Sequence, residues 1–193
     1  FPAPLEELPV ARDCPKRGHA GTLVPFRAAD FATNFVSPDE LRGIRFDSVP
    51  RPDQARLLLH GLEVVAGQEI PFAELENLVC AVQPDAVGPL EFDWNGADAL
   101  FYAASNARVR MVLTALPVAE SDSFLGLQNT SVCLAESDLL ANDSSSDGSA
   151  LRVESIDPTS EAGGEVLRVE GTLFYRPPAY FTGPDSFHYL LSD

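Results

Sequence analysis

The sequence predicts an all-β protein made of two tandem antiparallel Greek-key β-sandwich domains. Three observations carry that prediction. Short apolar runs with two-residue alternation recur about every 8–12 residues, the spacing of sandwich strands. Turn formers separate them, with 16 prolines and 13 glycines among 193 residues. No amphipathic run extends beyond about two helical turns, so crossover helices of a parallel sheet have no place.

Residues 1–22 are rich in proline and charge and read as a linker or as a strand arriving from a preceding unit. Residues 23–117 read as the first sandwich. Ile44, Phe46 and Ser48 alternate with Arg45, Asp47 and Val49, as in a strand with one buried face. Residues 55–67 read as strand, tight turn at His60-Gly61, strand. Phe72, Leu75, Leu78 and Val79 fall at helical spacing, enough for one or two turns. Leu90, Phe92 and Trp94 alternate with Glu91, Asp93 and Asn95, a half-buried strand expected to close on a turn at Asn95-Gly96. Val109, Met111 and Leu113 alternate with Arg108, Arg110 and Val112 in another strand.

Pro117 marks a break, and residues 118–193 read as the second sandwich. A short strand at "SVCLAE" leads to the turn-rich "LLANDSSSDGSA". Leu151, Val153 and Ser155 oppose Arg152, Glu154 and Ile156. Residues 163–178 form a hairpin pattern turning at Glu170-Gly171, and Phe187, Tyr189 and Leu191 share one face of a last strand. The chain breaks off after that strand, so we expect a piece of something longer. It starts at Phe1 with no basic-then-apolar leader, so we expect any signal peptide to be removed or to lie outside it.

Acidic residues number 29 against 13 basic ones, a net charge of −16. Such a chain repels phosphate backbones and anionic lipid surfaces, which excludes nucleic acid as a partner. No apolar stretch is long enough to insert in a membrane as a helix. The charge attracts cations, and calcium suits carboxylate and carbonyl oxygens best. Acidity is concentrated in residues 119–193, with 13 acids and 3 bases, against 16 and 10 in residues 1–118. The three cysteines show no zinc spacing. Two readings stand: one bridge, Cys14 to Cys80, with a leftover thiol at Cys133, or three buried reduced thiols. Asn129 and Asn142 each open an Asn-x-Ser sequon for glycosylation.

The second unit carries an ordered string of motifs. Asp122-Ser123-Phe124, Leu139-Leu140-Ala141-Asn142-Asp143 and Leu151-Arg152-Val153 come first. Gly171 to Tyr175, Phe181-Thr182-Gly183-Pro184-Asp185, Phe187 and Tyr189 follow. This string resembles the bacterial-type cadherin-like, immunoglobulin-like tandem repeat of large surface adhesins over residues 119–193. Ala29-Asp30-Phe31, Ile44, Gly67-Gln68-Glu69-Ile70, Phe92 and Trp94 make the first unit similar to a companion repeat of such proteins, and to repeats of chondroitin sulfate proteoglycan type. It departs from that pattern where an acidic Asp-x-Asp-Gly-like turn is shortened to Val36-Ser37-Pro38-Asp39-Glu40, which speaks against calcium at that turn. The resemblance implies repeats strung end to end in extracellular or cell-surface proteins. Their partners would be neighbouring repeats or identical subunits, and calcium would sit at the junctions.

Candidate metal ligands are Asp143 and Asp147 in the loop Asn142–Gly148, with Asp122 and Asp193 at the ends of the second unit. The same loop also fits a plain solvated turn with Asx hydrogen bonds. Glu6, Glu7 and Asp13 would serve a junction with a preceding repeat. Asp185 suits a turn-orienting role, accepting backbone N–H groups. Three histidines, His19, His60 and His188, sit in no catalytic motif: neither Gly-x-Ser-x-Gly nor His-Glu-x-x-His occurs. No enzyme is expected, because a sandwich of this size spends its interior on packing. Trp94, Phe92, Phe174, Tyr175, Phe187 and Tyr189 are expected in the cores, and Tyr180-Phe181 near a surface turn. The function expected is a structural spacer or assembly module of an adhesin stalk or surface filament. The alternatives are an adhesive module gripping a glycan or surface protein through its loops, and an accessory domain of a carbohydrate-active enzyme.

Overall fold

The structure, a computed structural model, describes residues 7–193; Pro2, Pro4 and Glu6 lie outside the described residues. The chain divides into a unit ending at Ala115 and a unit Leu116–Asp193. The fold is all-β, with two short α-helices and one 3₁₀ helix among the described residues.

The first unit contains β1 (Val10–Ala11), β2 (Cys14–His19), β3 (Leu23–Pro25), β4 (Phe35–Val36), β5 (Gly43–Phe46), β6 (Ala55–Leu59), β7 (Leu62–Glu63), β8 (Glu69–Pro71), β9 (Leu78–Val82), β10 (Gly88–Ala97) and β11 (Ala107–Thr114). One sheet runs β2-β11-β10-β5-β8 and another β3-β9-β6-β7, with β1 and β4 paired apart. The inward residues of both sheets meet in one core that includes Leu57, Cys80, Leu90, Trp94, Val109 and Met111. Strict alternation along β11, with Val109, Met111 and Leu113 buried and Arg108, Arg110 and Val112 exposed, is what a strand with one dry face requires.

Phe31 anchors this core. It is delivered by α1 (Ala28–Ala32), whose first turn is held by the Asp30 carboxylate accepting from the Arg27 N–H. Its ring stacks on Phe26 at 5.4 Å and meets the edges of Trp94 at 5.1 Å and Phe46 at 6.0 Å. Aromatic pairs of this kind add about 0.5–1.5 kcal/mol each beyond area burial. The single lysine, Lys16, pairs with Asp30 and lies 5.0 Å above the Phe26 ring.

Two features differ from the expectations. The stretch 1–22 supplies β1 and β2, and β2 runs parallel to β11 in an otherwise antiparallel sheet. Parallel neighbours need a long connection. Here nearly the whole unit supplies it, so no local sequence pattern signals the pairing. Asn95-Gly96 is no turn: β10 continues through it to Ala97. Asn95 is buried and donates to Ala103 O and Asn106 Oδ1. Gly96 lies so close to Phe35 that an added Cβ would come within 2.7 Å of its ring, so glycine there answers packing and not chain reversal. At His60-Gly61 and Glu170-Gly171, by contrast, both residues have positive φ (50° and 79°, 48° and 75°), as a two-residue hairpin turn demands. The helical spacing at 70–79 yields a 3₁₀ helix, Phe72–Asn77, that buries Leu75.

The second unit contains β12 (Val132–Ala135), β13 (Arg152–Ile156), β14 (Glu165–Val169), β15 (Thr172–Arg176) and β16 (Tyr189–Ser192). They form a three-stranded sheet, β12-β15-β14, and a two-stranded sheet, β13-β16. The short α2 (Glu136–Leu139) follows β12, and Arg168 of β14 grips Glu136 with a bidentate pair at 2.7–3.2 Å. Five residues form the buried centre, Leu134, Leu139, Val153, Val166 and Leu173, with Tyr175, Phe187 and Tyr189 half-buried around it. At about 1.5–3 kcal/mol per buried side chain this is a modest core, and polar contacts at its border carry more weight. Phe174, expected in the core, is exposed, because Leu173 and Tyr175 take the inward positions of β15.

Candidate functional site

Two tyrosine–carboxylate clusters border the second unit's core, and both arise from strand alternation. Tyr175 and Tyr189 point inward, and a half-buried phenol needs a partner for its hydroxyl. The Tyr175 hydroxyl donates to Asp185 Oδ2 at 2.5 Å, where the Ser160 hydroxyl also donates at 2.5 Å. Asp185 Oδ1 accepts the backbone N–H groups of Ala162 and Ser186. Burial pulls this carboxyl upward, but the Ser160, Tyr175 and backbone donors outweigh it and hold it below the usual carboxylate range. Burial, then Asp185, pushes Tyr175 up to about 12. Gly164 lies beneath: an added Cβ would meet Tyr175 at 2.6 Å and Ser160 Oγ at 2.8 Å.

In the second cluster the Tyr189 hydroxyl lies 3.1 Å from both Asp122 Oδ2 and Asp143 Oδ2, and 3.4 Å from the carbonyl oxygens of Glu120 and Leu139. Burial, then Asp122 and Asp143, raises the Tyr189 pKa well above the ordinary phenol range. Asp143 also accepts the Glu120 N–H at 2.8 Å, which ties the start of the unit to the loop after α2.

The four aspartates expected as metal ligands thus fall into two pairs. Asp122 and Asp143 converge on Tyr189. Asp147 and Asp193 converge on Ser145, whose hydroxyl lies 2.9 Å from one and 3.1 Å from the other. Asp147 also accepts the Ser149 N–H, as an Asx turn does. Among the described residues no three His, Cys, Asp or Glu side chains gather as a metal-binding group. Two carboxylates and two carbonyls around Tyr189 are calcium-type donors, yet fewer than the six to eight oxygens calcium takes.

The remaining expected residues are scattered. Cys14 and Cys80 are free buried thiols, one in each of the two larger sheets of the first unit, and no disulfide joins them. Burial raises them to about 11 and about 12. Cys133 is exposed, so the alternative of three buried thiols also needs correction: on edge strand β12 it takes the outward position between Val132 and Leu134. Asn129 and Asn142 are exposed; Asn129 accepts from the Tyr180 N–H and Asn142 donates to Ser121 O. Glu7 is exposed, and Asp13 pairs with Arg110. His60 meets Glu74 at 2.5 Å, His188 meets Asp157 at 3.2 Å, and His19 lies 3.0 Å from Thr114 Oγ1.

Sequence reasoning missed a groove of about 940 Å³ in the second unit. The irregular segment 119–130 forms one wall and residues 181–189 the other, with Val132, Leu134 and Leu139 between them. Its charged lining is acidic, with Glu120, Asp122 and Asp185 and no lysine or arginine. The unpatterned apolar residues Phe124, Leu125 and Leu127 were the available signal. They sit in no strand, and Leu125 is fully exposed.

Comparison with known proteins bears on this unit. Residues 113–193 match the cadherin-like domain. Cadherin-like domains are typically extracellular, and no helix among the described residues is long and apolar enough to cross a membrane. No curated protein matches the chain. Among solved structures, an endo-fucoidan hydrolase of glycoside hydrolase family 107 aligns with 100% of this chain at 16% identity and a TM-score of 0.30. The chain spans 28% of that protein's length, and a score this low carries no argument about fold or function.

Proposed function

We propose that the chain is a structural spacer and assembly module of an extracellular, multi-repeat surface protein, with each unit a Greek-key β-sandwich repeat. The cadherin-like match of residues 113–193 is the observation that supports this reading. The motif string from Asp122 to Tyr189, with its likeness to adhesin repeats, points to a stalk or filament subunit. Its partners in this reading are neighbouring repeats or identical subunits.

The mechanism is mechanical. Pulling a sandwich apart exposes its apolar interior and breaks ladder hydrogen bonds together, so each unit resists extension as a whole. In the second unit, Asp185 and Asp143 add cross-ties between segments distant in sequence. Calcium, if it contributes, does so through Asp122 and Asp143 by displacing the Tyr189 hydroxyl.

The test is single-molecule stretching of the chain embedded between marker domains of known unfolding force. Two discrete force peaks per molecule are expected. A chain that extends smoothly, without peaks, is not a spacer of this kind.

A further inference from the structure

The pair Asn95-Gly96 makes no turn, yet as a sequence it is chemically reactive. An asparagine followed by glycine closes readily into a cyclic imide, because glycine has no side chain to hinder attack by its own backbone nitrogen. Among the asparagines only Asn95 has this neighbour; the others precede Phe35, Leu78, Ala107, Thr130 and Asp143.

The fold holds the pair away from that reaction. β10 lies between β11 and β5, and Asn95 and Gly96 face Arg45 and Ile44 across the ladder, which keeps their backbone extended. Ring closure needs the Gly96 nitrogen to swing onto Asn95 Cγ, a movement that a paired, extended strand resists. Asn95 is 5% exposed, and its Nδ2 donates to Ala103 O at 3.2 Å and Asn106 Oδ1 at 2.9 Å. Gly96 is buried under Phe35 and Leu41.

The same contacts reject the product. Ala103 O can only accept a hydrogen bond, so an NH₂ group fits against it and a carboxylate does not. Asn95 Oδ1 is buried and has no donor among the described residues, so nothing there would compensate a negative charge. Isoaspartate, the other product, adds a carbon to the backbone in mid-strand and puts the end of β10 out of step with β5.

We propose that Asn95-Gly96 is a modification site gated by the fold: it deamidates when the first unit opens, and the product bars that unit from closing again. The Gly96 nitrogen bonds to Asn95 Cγ, and Nδ2 leaves as ammonia with the Gly96 amide proton. Water then opens the imide to aspartate or isoaspartate and is the sole co-reactant. Opening of the first unit is thereby recorded in covalent form. This goes beyond the spacer role and does not rest on it.

The test uses the wild-type chain, incubated at mildly alkaline pH without denaturant and across a guanidinium series. Digestion and mass spectrometry then follow the peptide that holds residue 95. The native chain should convert about a hundredfold or more slowly than the unfolded one, because the reaction waits for a rare open state. Below the unfolding transition, the logarithm of the rate should climb with guanidinium in parallel with the unfolding equilibrium read from Trp94 fluorescence. Asp147-Gly148 can form the same ring but returns to the mass of aspartate, so the mass gain reports asparagine alone.

Chain converted halfway in denaturant is then returned to buffer, and folded molecules are separated by size exclusion. Modified residue 95 should be depleted about tenfold or more from the folded fraction, since a buried charge without a donor disfavours folding by at least that ratio. Similar rates in native and unfolded chain, a rate indifferent to low guanidinium, or modified chains shared equally between the two fractions would each overturn the proposal. None of these outcomes bears on the stretching experiment.

Discussion

The Tyr175 hydroxyl and the Asp185 carboxylate, ten residues apart, meet at 2.5 Å and tie β15 to the turn that precedes β16. Ser160 and the N–H groups of Ala162 and Ser186 converge on the same carboxylate, so one side chain satisfies four donors. Asp185→Asn keeps the size but places an NH₂ where acceptors are needed. We expect a loss of about 1–3 kcal/mol in the second unit, since the buried Ser160 hydroxyl and the half-buried Tyr175 hydroxyl lose their shared acceptor. Trp94 is the sole tryptophan and reports the first unit, whereas three of the four tyrosines lie in the second. Thermal melting followed by tyrosine near-UV dichroism should shift down, with the Trp94 fluorescence transition unchanged.

Alkaline pH should weaken the second unit. Tyr175 is raised to about 12 and Tyr189 is raised further, while an unfolded tyrosine ionises near 10. A raised folded value means the protonated phenol is favoured in the fold. Its stabilisation is complete below about pH 10 and is lost as pH rises through the folded value. The melting temperature should hold from pH 7 to about 9.5 and fall above pH 10. Tyr175→Phe should lower the plateau and flatten the fall; an unchanged slope would refute the assignment.

Removing the Tyr189 hydroxyl leaves Asp122 and Asp143 facing each other without their shared donor. Tyr189→Phe should therefore melt lower, by about 1 kcal/mol or some 4–8 °C for a unit of this size. Millimolar calcium should recover part of that loss, because the cation can then occupy the place of the phenol. The comparison is the melting shift between calcium and chelator in variant and wild type, and it should be larger in the variant.

Thiol reactivity should separate the cysteines. Cys133 is exposed, whereas burial holds Cys14 and Cys80 up at about 11 and 12. One equivalent should react quickly with a disulfide reagent in the native protein, and two more only on unfolding. A total of one thiol in denaturant would mean that Cys14 and Cys80 are bridged after all.

Much of the strand pattern was legible in the sequence because it is local. Leu90, Phe92 and Trp94, or Val109, Met111 and Leu113, declare a buried face by alternation alone, and Gly61 and Gly171 mark hairpin turns that need positive φ. Asn95-Gly96 carried the same turn signature and was misleading, since its glycine answers the nearness of Phe35 and Leu41, residues more than fifty positions away. The acids Asp122, Asp143, Asp147 and Asp193 were visible as a group.

The alternation of side chains and the chemistry of turn residues fixed which segments became strands, because each acts over two to four neighbours. Only the folded chain decided that β2 lies parallel beside β11, that Cys14 and Cys80 remain separate, and that the four aspartates pair off around Tyr189 and Ser145. It alone gathered Glu120, Asp122 and Asp185 around one groove beside β12. Apart from the local contact of Asp147 with Ser145, those outcomes concern residues more than forty positions apart, and no periodicity in a linear string records which distant partner closes each contact.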